Sequence, residues 1–237
     1  MAQARGMAGL LAMAIVAMLA LAHPAATLAQ DTGDDALQIS DLHGVQAAVS
    51  RTFTLDFAAM FSAEGTPTPV PAAGTVDLFA LGGTILQFDN DGDAKSAYST
   101  VLDEVSQQQD DEGTPADLTF ETIDLGGDLG DERTGLRMTG EDTGGIAGGD
   151  IVALVVRDGS IIYMVTGVAN AGDPSDAVVA FTKAVMDGKA GDGEATFNED
   201  GTSTGGLWDK FPAADSPVVA GLPSVMDIDL MADQSGA

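Results

Sequence analysis

The stretch from Asp150 to Ala169 constrains the fold more than any other part of the chain, because it has the pattern of a β-hairpin. Two runs of mostly branched and aromatic residues, Ile151 to Val156 and Ile161 to Val165, flank the sequence Arg-Asp-Gly-Ser. An Asp-Gly pair supplies the positive φ angles that a tight hairpin turn requires. Both runs are almost continuously apolar, which is typical of central strands with little water on either face. We therefore expect helices that pack on this hairpin.

The first 29 residues have the pattern of a signal peptide. Arg5 is followed by an apolar run from Met7 to Ala22, and Thr27-Leu28-Ala29 offers small residues at the two positions that signal peptidase recognises. The run is shorter than the ~20 residues that a spanning helix needs, so we expect cleavage after Ala29 rather than a retained membrane anchor. The chain has no cysteine, and therefore neither a lipid-anchor site nor disulfides. We expect a secreted or otherwise extracytoplasmic protein of a bacterium or archaeon.

The chain is strongly acidic. Its 37 acidic and 9 basic residues give a net charge of −28, and loss of Arg5 with the signal peptide makes it −29. Such a field repels the phosphates of nucleic acid and anionic membrane surfaces, so we expect neither as a partner. Dispersed carboxylates keep an exported protein hydrated, as in proteins of high-salt habitats. The alternative is that the charge attracts a cationic partner.

Composition divides the rest of the chain into three parts. Residues 30–44 are expected to form a flexible acidic entry segment, residues 45–188 a folded domain, and residues 189–237 a linker and extended acidic tail. Trp208 and Phe211 are large aromatics within the tail. They either dock on the domain or form an exposed motif that binds a partner.

Several strands are predicted in the folded domain. Alternating apolar residues from Val45 to Phe57 predict one strand, and Gly82-Gly83 predicts a turn that makes a second hairpin of Thr75 to Phe88. Two further strands are expected at Leu118 to Leu125 and at Thr134 to Thr139.

Apolar residues spaced three and four apart predict two helices, Asp93 to Val105 and a second that runs from Pro174 to Asp187 and ends at Gly188. Each follows an apolar strand and an Asp/Gly loop, which suggests two duplicated strand–strand–helix (ββα) units. We predict an α+β fold with a mostly antiparallel sheet of about six strands and both helices packed on one face, because hairpins dominate and helices are few.

The space between the sheet and the two helices is the predicted ligand pocket. Tyr98, Tyr163, Met164 and Phe181 are expected to line it. The alternative for these four side chains is plain core packing.

A candidate metal site lies at Asp89, Asp91 and Asp93, which have the spacing of the first oxygen ligands of a calcium loop. Ala94 stands where the loop needs glycine and Thr100 where it needs glutamate. The alternative is a turn in which Asp91 or Asp93 caps the helix that follows. No cofactor is predicted beyond loosely bound calcium.

No catalytic motif is found. His43 is the only histidine after the signal peptide, and the chain has no cysteine and no nucleophile elbow. The residues needed for a serine or cysteine catalytic site, or for a catalytic zinc site, are therefore missing. We therefore predict a non-enzymatic domain that binds an apolar small molecule, a lipid or a protein partner outside the cytoplasm. The alternative is a calcium-dependent or carboxylate-pair hydrolase that uses the acids of Asp89 to Asp93 and Asp128 to Glu132.

Three features in order resemble uncharacterised secreted and lipoprotein domains of Gram-positive-type and related bacteria. They are Leu125 to Leu136 with its Gly-Asp-Glu sequence, the hairpin with its Arg-Asp-Gly turn, and the Asp-capped helix. The resemblance covers Val45 to Gly188 and implies an exported α+β domain without established catalytic residues. This chain lacks the lipobox cysteine that many of those domains carry.

Overall fold

A computed structural model describes residues 39–55, 76–110, 119–139, 142–143, 146–147, 150–198 and 202–231. Its elements in chain order are β1 (Val45–Thr54), β2 (Asp77–Phe88), α1 (Asp91–Asp110), β3 (Thr119–Ile123), β4 (Glu132–Thr139), β5 (Asp142–Thr143), β6 (Ile146–Ala147), β7 (Asp150–Asp158), β8 (Ile161–Ala171), α2 (Ser175–Asp187), β9 (Thr196–Phe197), β10 (Ser203–Thr204) and β11 (Ser224–Asp229). Seven strands form one sheet in the order β11-β1-β2-β8-β7-β4-β3, and every neighbouring pair is antiparallel. The predicted α+β class with a mostly antiparallel sheet is confirmed.

The predicted hairpin is the pair β7 and β8. Asp158 pairs with Ile161, so only Gly159 and Ser160 remain in the turn, and Gly159 has a φ of 56°. β8 is the middle strand of the seven. Seven consecutive residues of β7 and eight of β8 are buried. This burial agrees with the nearly continuous apolar sequence of both strands.

Strand β2 corrects one prediction, because Gly82 and Gly83 lie inside a single strand and not in a turn. A Cβ atom on Gly83 would lie 3.2 Å from Val165 Cγ2 and 3.3 Å from Phe181 Cε1. Glycine at this position lets the ring of Phe181 from α2 approach the sheet closely. Gly83 therefore serves close packing between α2 and the sheet.

The two helices lie on opposite faces of the sheet, so the prediction that both pack on one face is wrong. Helix α2 packs through Phe181 into a cluster that contains Tyr163 of β8. Helix α1 packs through Val101 into a separate cluster that contains Ile162. Neighbouring residues of a strand point to opposite faces. The amphipathic stripe of each helix predicts burial, but it carries no information about which face is covered.

This arrangement also contradicts the predicted duplication. A two-fold axis perpendicular to the sheet, between β2 and β8, would relate the pair β1–β2 to the pair β7–β8 in the observed strand order. Such an axis keeps each face of the sheet on its own side, so it would place both helices on the same face. This axis would superimpose the two strand pairs, but it would not superimpose α1 on α2, because the two helices lie on opposite faces.

The prediction of an extended tail is wrong for residues 202–231. Strand β11 pairs with β1 from Val49 opposite Asp229 to Thr54 opposite Ser224. Five side chains of this segment are buried in the cluster on the α2 face, namely Leu207, Trp208, Phe211, Val219 and Leu222. A strand partner and a share of the apolar core make the segment part of the domain.

Lys210 connects the C-terminal segment, residues 202–231, to the end of α2. Its Nζ atom donates hydrogen bonds to the carbonyl oxygens of Gly188, at 2.7 Å, and Met186, at 3.4 Å. These acceptors belong to the group of carbonyls that a helix leaves unsatisfied at its C-terminus. Gly188 has an extended backbone with a φ of −61°, and a Cβ atom there would collide with the Lys210 carbonyl oxygen. Glycine is needed at this helix end for close approach and not for a left-handed cap.

The segments predicted to be flexible on either side of the domain also have defined contacts. Gly191 N donates to Gly206 O at 2.9 Å, and Asn198 N donates to Thr202 O at 2.8 Å, so the linker prediction is wrong for the described residues after 188. Ile39 and Leu42 are each 6% exposed and belong to the core on the α1 face, which corrects the entry-segment prediction for residues 39–44.

The predicted signal peptide, its cleavage after Ala29 and the remainder of the entry segment lie outside the described residues. Among the helices that are described, none combines the length and the apolar character needed to cross a bilayer.

Candidate functional site

A groove of about 560 Å³ opens beside the edge strand β3. Its lining consists of Thr122, Ile123, Asp124, Leu125, Arg133, Thr134, Gly135 and Leu154. Leu154 belongs to the core cluster on the α2 face, and Ile123 and Leu125 pack against that cluster. The volume lies within the usual range of small-molecule pockets.

A glycine in β4 shapes the floor of the groove. Gly135 pairs with Ile123 of β3 on one side and with Leu154 of β7 on the other. A Cβ atom on Gly135 would lie 2.6 Å from the Ile123 carbonyl oxygen and 2.9 Å from Leu125 Cγ. The missing side chain therefore lets Leu125 fold down onto β4, and the floor is made of three aliphatic residues.

The loop between β3 and β4 forms the wall of the groove and is held at several points. Asp124 Oδ1 accepts a hydrogen bond from Gly126 N at 2.9 Å, and Leu129 is only 4% exposed in the core. Asp131 N donates to the carbonyl oxygen of Arg157 at 2.8 Å. The left-handed backbone of the loop is supplied by Gly126, Gly127 and Gly130, with φ angles of 66°, 82° and 59°. The groove is thus bounded by anchored backbone.

Arg133 brings a positive charge to the rim of the groove. It stands two residues before Gly135 on β4, so both residues belong to the same face of the strand. Its side chain is exposed, and within the described ranges it makes no ion pair. The neighbouring Asp131 and Glu132 contact Arg157 instead.

Arg157 of β7 is the centre of an ion-pair network. Its side chain is 7% exposed; its Nε donates to Glu132 Oε2 at 2.8 Å, and its Nη1 lies 3.2 Å from Asp131 Oδ2 and also pairs with Asp91. The hydrogen bond with Glu132 raises the pKa of Arg157.

The structure does bring together the two acidic loops of the hydrolase hypothesis, because Asp91, Asp131 and Glu132 all contact Arg157. Their carboxylates, however, surround a buried guanidinium group that they neutralise.

The three aspartates of the predicted calcium loop are not assembled into one site. Asp91 pairs with Arg157, and Asp93 Oδ1 lies 3.1 Å from His43 Nδ1. Asn90 caps the N-terminus of α1. Its Oδ1 accepts a hydrogen bond from Asp93 N at 3.0 Å, and its Nδ2 donates to Asp93 Oδ2 at 2.7 Å. The cap is therefore Asn90, not the predicted Asp91 or Asp93. No set of three His, Cys, Asp or Glu residues in the described part of the chain could hold a metal ion.

The four residues of the predicted pocket are divided between the two faces of the sheet. Tyr98 and Met164 belong to the core on the α1 face, and Tyr163 and Phe181 to the core on the α2 face. All four are at most 6% exposed. Their prediction as the lining of one ligand space is wrong, and they are core residues. Burial raises the pKa of Tyr98, whose hydroxyl shares a hydrogen bond of 2.9 Å with Thr134.

Trp208 and Phe211 are docked on the domain, so the prediction of an exposed partner motif is wrong. They are 1% and 5% exposed. The guanidinium carbon of Arg51 lies 5.6 Å from the Trp208 ring centroid and 5.5 Å from that of Phe211. Both rings thus take part in cation–π contacts inside the protein.

The groove itself was not predicted from the sequence. Its residues come from three strands and one loop, and their meeting depends on strand order. One local signal was present: Gly135 stands alone in an otherwise regular strand, and such a glycine often marks close approach of another chain segment or a ligand.

Comparison with known proteins does not identify the chain. No protein-family model matches it, and no curated protein matches it. Among solved structures, the extracellular domain of PknH from Mycobacterium tuberculosis shows a partial likeness, with 10% sequence identity and a TM-score of 0.31. The matched part covers 44% of this chain and 53%, about half, of that one.

Proposed function

We propose that this protein is an exported, non-enzymatic binding domain that holds an apolar small molecule in the groove between β3, β4 and β7. The observation that carries the proposal is the open cavity of about 560 Å³ with the aliphatic floor of Ile123, Leu125 and Leu154. A small concave site favours a small molecule or a lipid chain. A protein partner would need about 800 Å² of matching surface on each side.

The construction of the site supports binding without large rearrangement. Leu154 of its floor lies on β7 and the neighbouring Gly135 on β4, which are inner strands of the sheet, and its wall is anchored by the buried side chain of Leu129. A site that is already formed loses little conformational freedom when the ligand enters.

The distribution of acidic groups supports a binder over a hydrolase. The lining contains one carboxylate, Asp124, and one of its oxygens already accepts a hydrogen bond from Gly126 N. A carboxylate-pair mechanism needs two acids that face the same substrate. The acids that do converge, Asp91, Asp131 and Glu132, are paired with Arg157.

Export is part of the proposal and rests on the sequence. The signal-peptide pattern that ends at Ala29 supports it. The net charge of −28 is consistent with a dispersed protein that stays dissolved outside the cell.

The test is calorimetric titration with a neutral apolar probe, N-phenyl-1-naphthylamine. The domain should bind one molecule saturably, and Ile123→Trp, which fills the groove from the half-buried end of β3, should weaken binding at least about tenfold. Val225→Trp is the matched control, because Val225 is a half-buried β-branched residue on the opposite edge strand, β11. Absence of saturable binding to the wild type, or equal loss in both folded variants, would contradict the proposal.

A further inference from the structure

We infer that Arg133 makes the groove selective for apolar ligands that end in a carboxylate. This inference rests on the proposed function and specifies the chemical class of its ligand. It follows from three observations: the partners of the basic residues, the position of Arg133 on β4, and the identity of the one acid in the lining.

Basic residues are scarce in this chain, and nearly all of those described are already engaged. Arg51, Lys95, Arg137, Arg157 and Lys183 contact carboxylates, and Lys210 contacts backbone carbonyls. Within the described ranges Arg133, Lys189 and Lys210 form no ion pair, and of these three only Lys210 has backbone carbonyl partners. The chain has 37 acidic residues to 9 basic ones. Arg133 is therefore the exception among the arginines in the described part of the chain, since Arg51, Arg137 and Arg157 all have carboxylate partners.

The two acids next to Arg133 are committed elsewhere. Asp131 Oδ2 accepts a hydrogen bond from Gly159 N at 3.0 Å and lies 3.2 Å from Arg157 Nη1, and Glu132 accepts from Arg157 Nε at 2.8 Å. Arg157 therefore engages the carboxylates that could otherwise have neutralised Arg133. Within the described ranges no carboxylate pairs with the Arg133 guanidinium, so its hydrogen-bond donors are available to a ligand.

The position of Arg133 suits the head of an amphiphile. It lines the groove together with the aliphatic floor of Ile123, Leu125 and Leu154. An arginine can hold both oxygens of a carboxylate through two parallel N–H···O bonds, whereas an uncharged oxygen gains only one such bond at a time. A ligand would thus place its carboxylate on Arg133 and its hydrocarbon part on the floor.

The negative field of the protein opposes an anionic ligand and limits the size of the effect. At physiological ionic strength the Debye length is about 8 Å, so distant carboxylates are largely screened and groups in contact decide selectivity. Asp124 also lines the groove, which places the ligand carboxylate at the Arg133 end. Because an exposed ion pair contributes little free energy, we expect a preference of about fivefold.

The experiment compares decanoate with decanol, which share a ten-carbon chain and differ in the charge of the head group. Calorimetric titration of the full domain at neutral pH should show decanoate binding about fivefold more tightly than decanol. Arg133→Gln should remove this preference, because decanoate loses more affinity than decanol when the guanidinium group is replaced. Lys189→Gln, an equal loss of charge at an exposed residue outside the groove lining, should retain it.

The outcomes separate the two proposals. Equal binding of decanoate and decanol by the wild type, or a preference that survives Arg133→Gln, overturns the inference about Arg133 and leaves the groove as a binding site. If neither compound binds, the proposed function and the inference both fail.

Discussion

Arg51 of β1 and Asp227 of β11 form a bidentate ion pair, in which Nε and Nη2 of the arginine each donate to one carboxylate oxygen at 2.7 Å. The side chains are 10% and 1% exposed. Nη2 also donates to the carbonyl oxygen of Ser203 at 2.6 Å, and the guanidinium group lies over the rings of Trp208 and Phe211. One arginine thus connects β1 to three parts of the C-terminal segment. This connection explains how a segment rich in small and acidic residues becomes part of the sheet.

Removal of the acid in this pair should destabilise the whole domain. In Asp227→Ala the buried charge of Arg51 would have no counter-ion, which costs about 3–5 kcal/mol of unfolding free energy. Chemical denaturation followed by circular dichroism measures the loss. Asp215→Ala is the control, because it makes the same change at an exposed position of the same segment and should cost less than about 0.5 kcal/mol. Equal stability of the two variants would mean that the ion pair does not hold β11.

The tryptophan beside this pair should behave as a core residue. Trp208→Ala removes a side chain that is 1% exposed and should cost about 3–5 kcal/mol. Phe197, whose ring centroid lies 6.1 Å from that of Trp208, is 57% exposed, and Phe197→Ala should cost far less. Thermal and chemical unfolding followed by circular dichroism compares the two. A folded Trp208→Ala variant of unchanged stability would contradict docking of the segment.

Gly188 tests the contact between α2 and the C-terminal segment. Alanine is compatible with its φ of −61°, but the new methyl group would collide with the Lys210 carbonyl oxygen. We expect Gly188→Ala to cost about 1–3 kcal/mol, as overpacking usually does. Gly193→Ala has no neighbour within 4 Å and should be neutral or slightly stabilising. The prediction is wrong if urea denaturation shows the same small effect for both.

Tyr163 should titrate at unusually high pH. Burial, helped by the nearby charge of Asp158, raises its pKa from 10 to about 12. Because the folded-state pKa is raised, this tyrosine's contribution to stability is complete below pH 10 and is lost as the pH rises through about 12. The chain has two tyrosines, so Tyr98→Phe leaves Tyr163 as the only one, and its tyrosinate absorbance can be followed directly. The midpoint should lie near 12 in the folded variant and near 10 in denaturant. A folded-state midpoint near 10 would contradict its burial.

Features that depend on local sequence were predictable. The hairpin of β7 and β8 follows from two apolar runs around an Asp-Gly turn, and α2 follows from its apolar spacing after Asp173. The start is one residue later than predicted, because Pro174 is the N-cap and α2 begins at Ser175. Asp173 Oδ1 accepts hydrogen bonds from Ser175 N and Oγ at 2.9 and 2.6 Å and so holds the turn just before the helix. These interactions join residues close together in the chain.

Features that depend on distant residues were not predictable in the same way. The stripe of α1 indicates an apolar partner but not the face of the sheet that provides it. The Gly82-Gly83 pair has the composition of a turn, and only the position of Phe181 shows that Gly83 serves close packing. The strand β11 is short and acidic, and its place in the sheet depends on the ion pair between Asp227 and Arg51. These two residues are 176 positions apart in the chain. The groove likewise exists because β3, β4 and β7 are neighbours.

The most direct test of the binding site is a nuclear magnetic resonance titration of the methyl-labelled domain with decanoate. The account predicts saturable shifts of the methyl resonances of Ile123, Leu125 and Leu154, with those of the buried core residues Met164 and Val178 unchanged. Shifts centred on Met164 or Val178, or no saturable shift of the three groove residues, would contradict it.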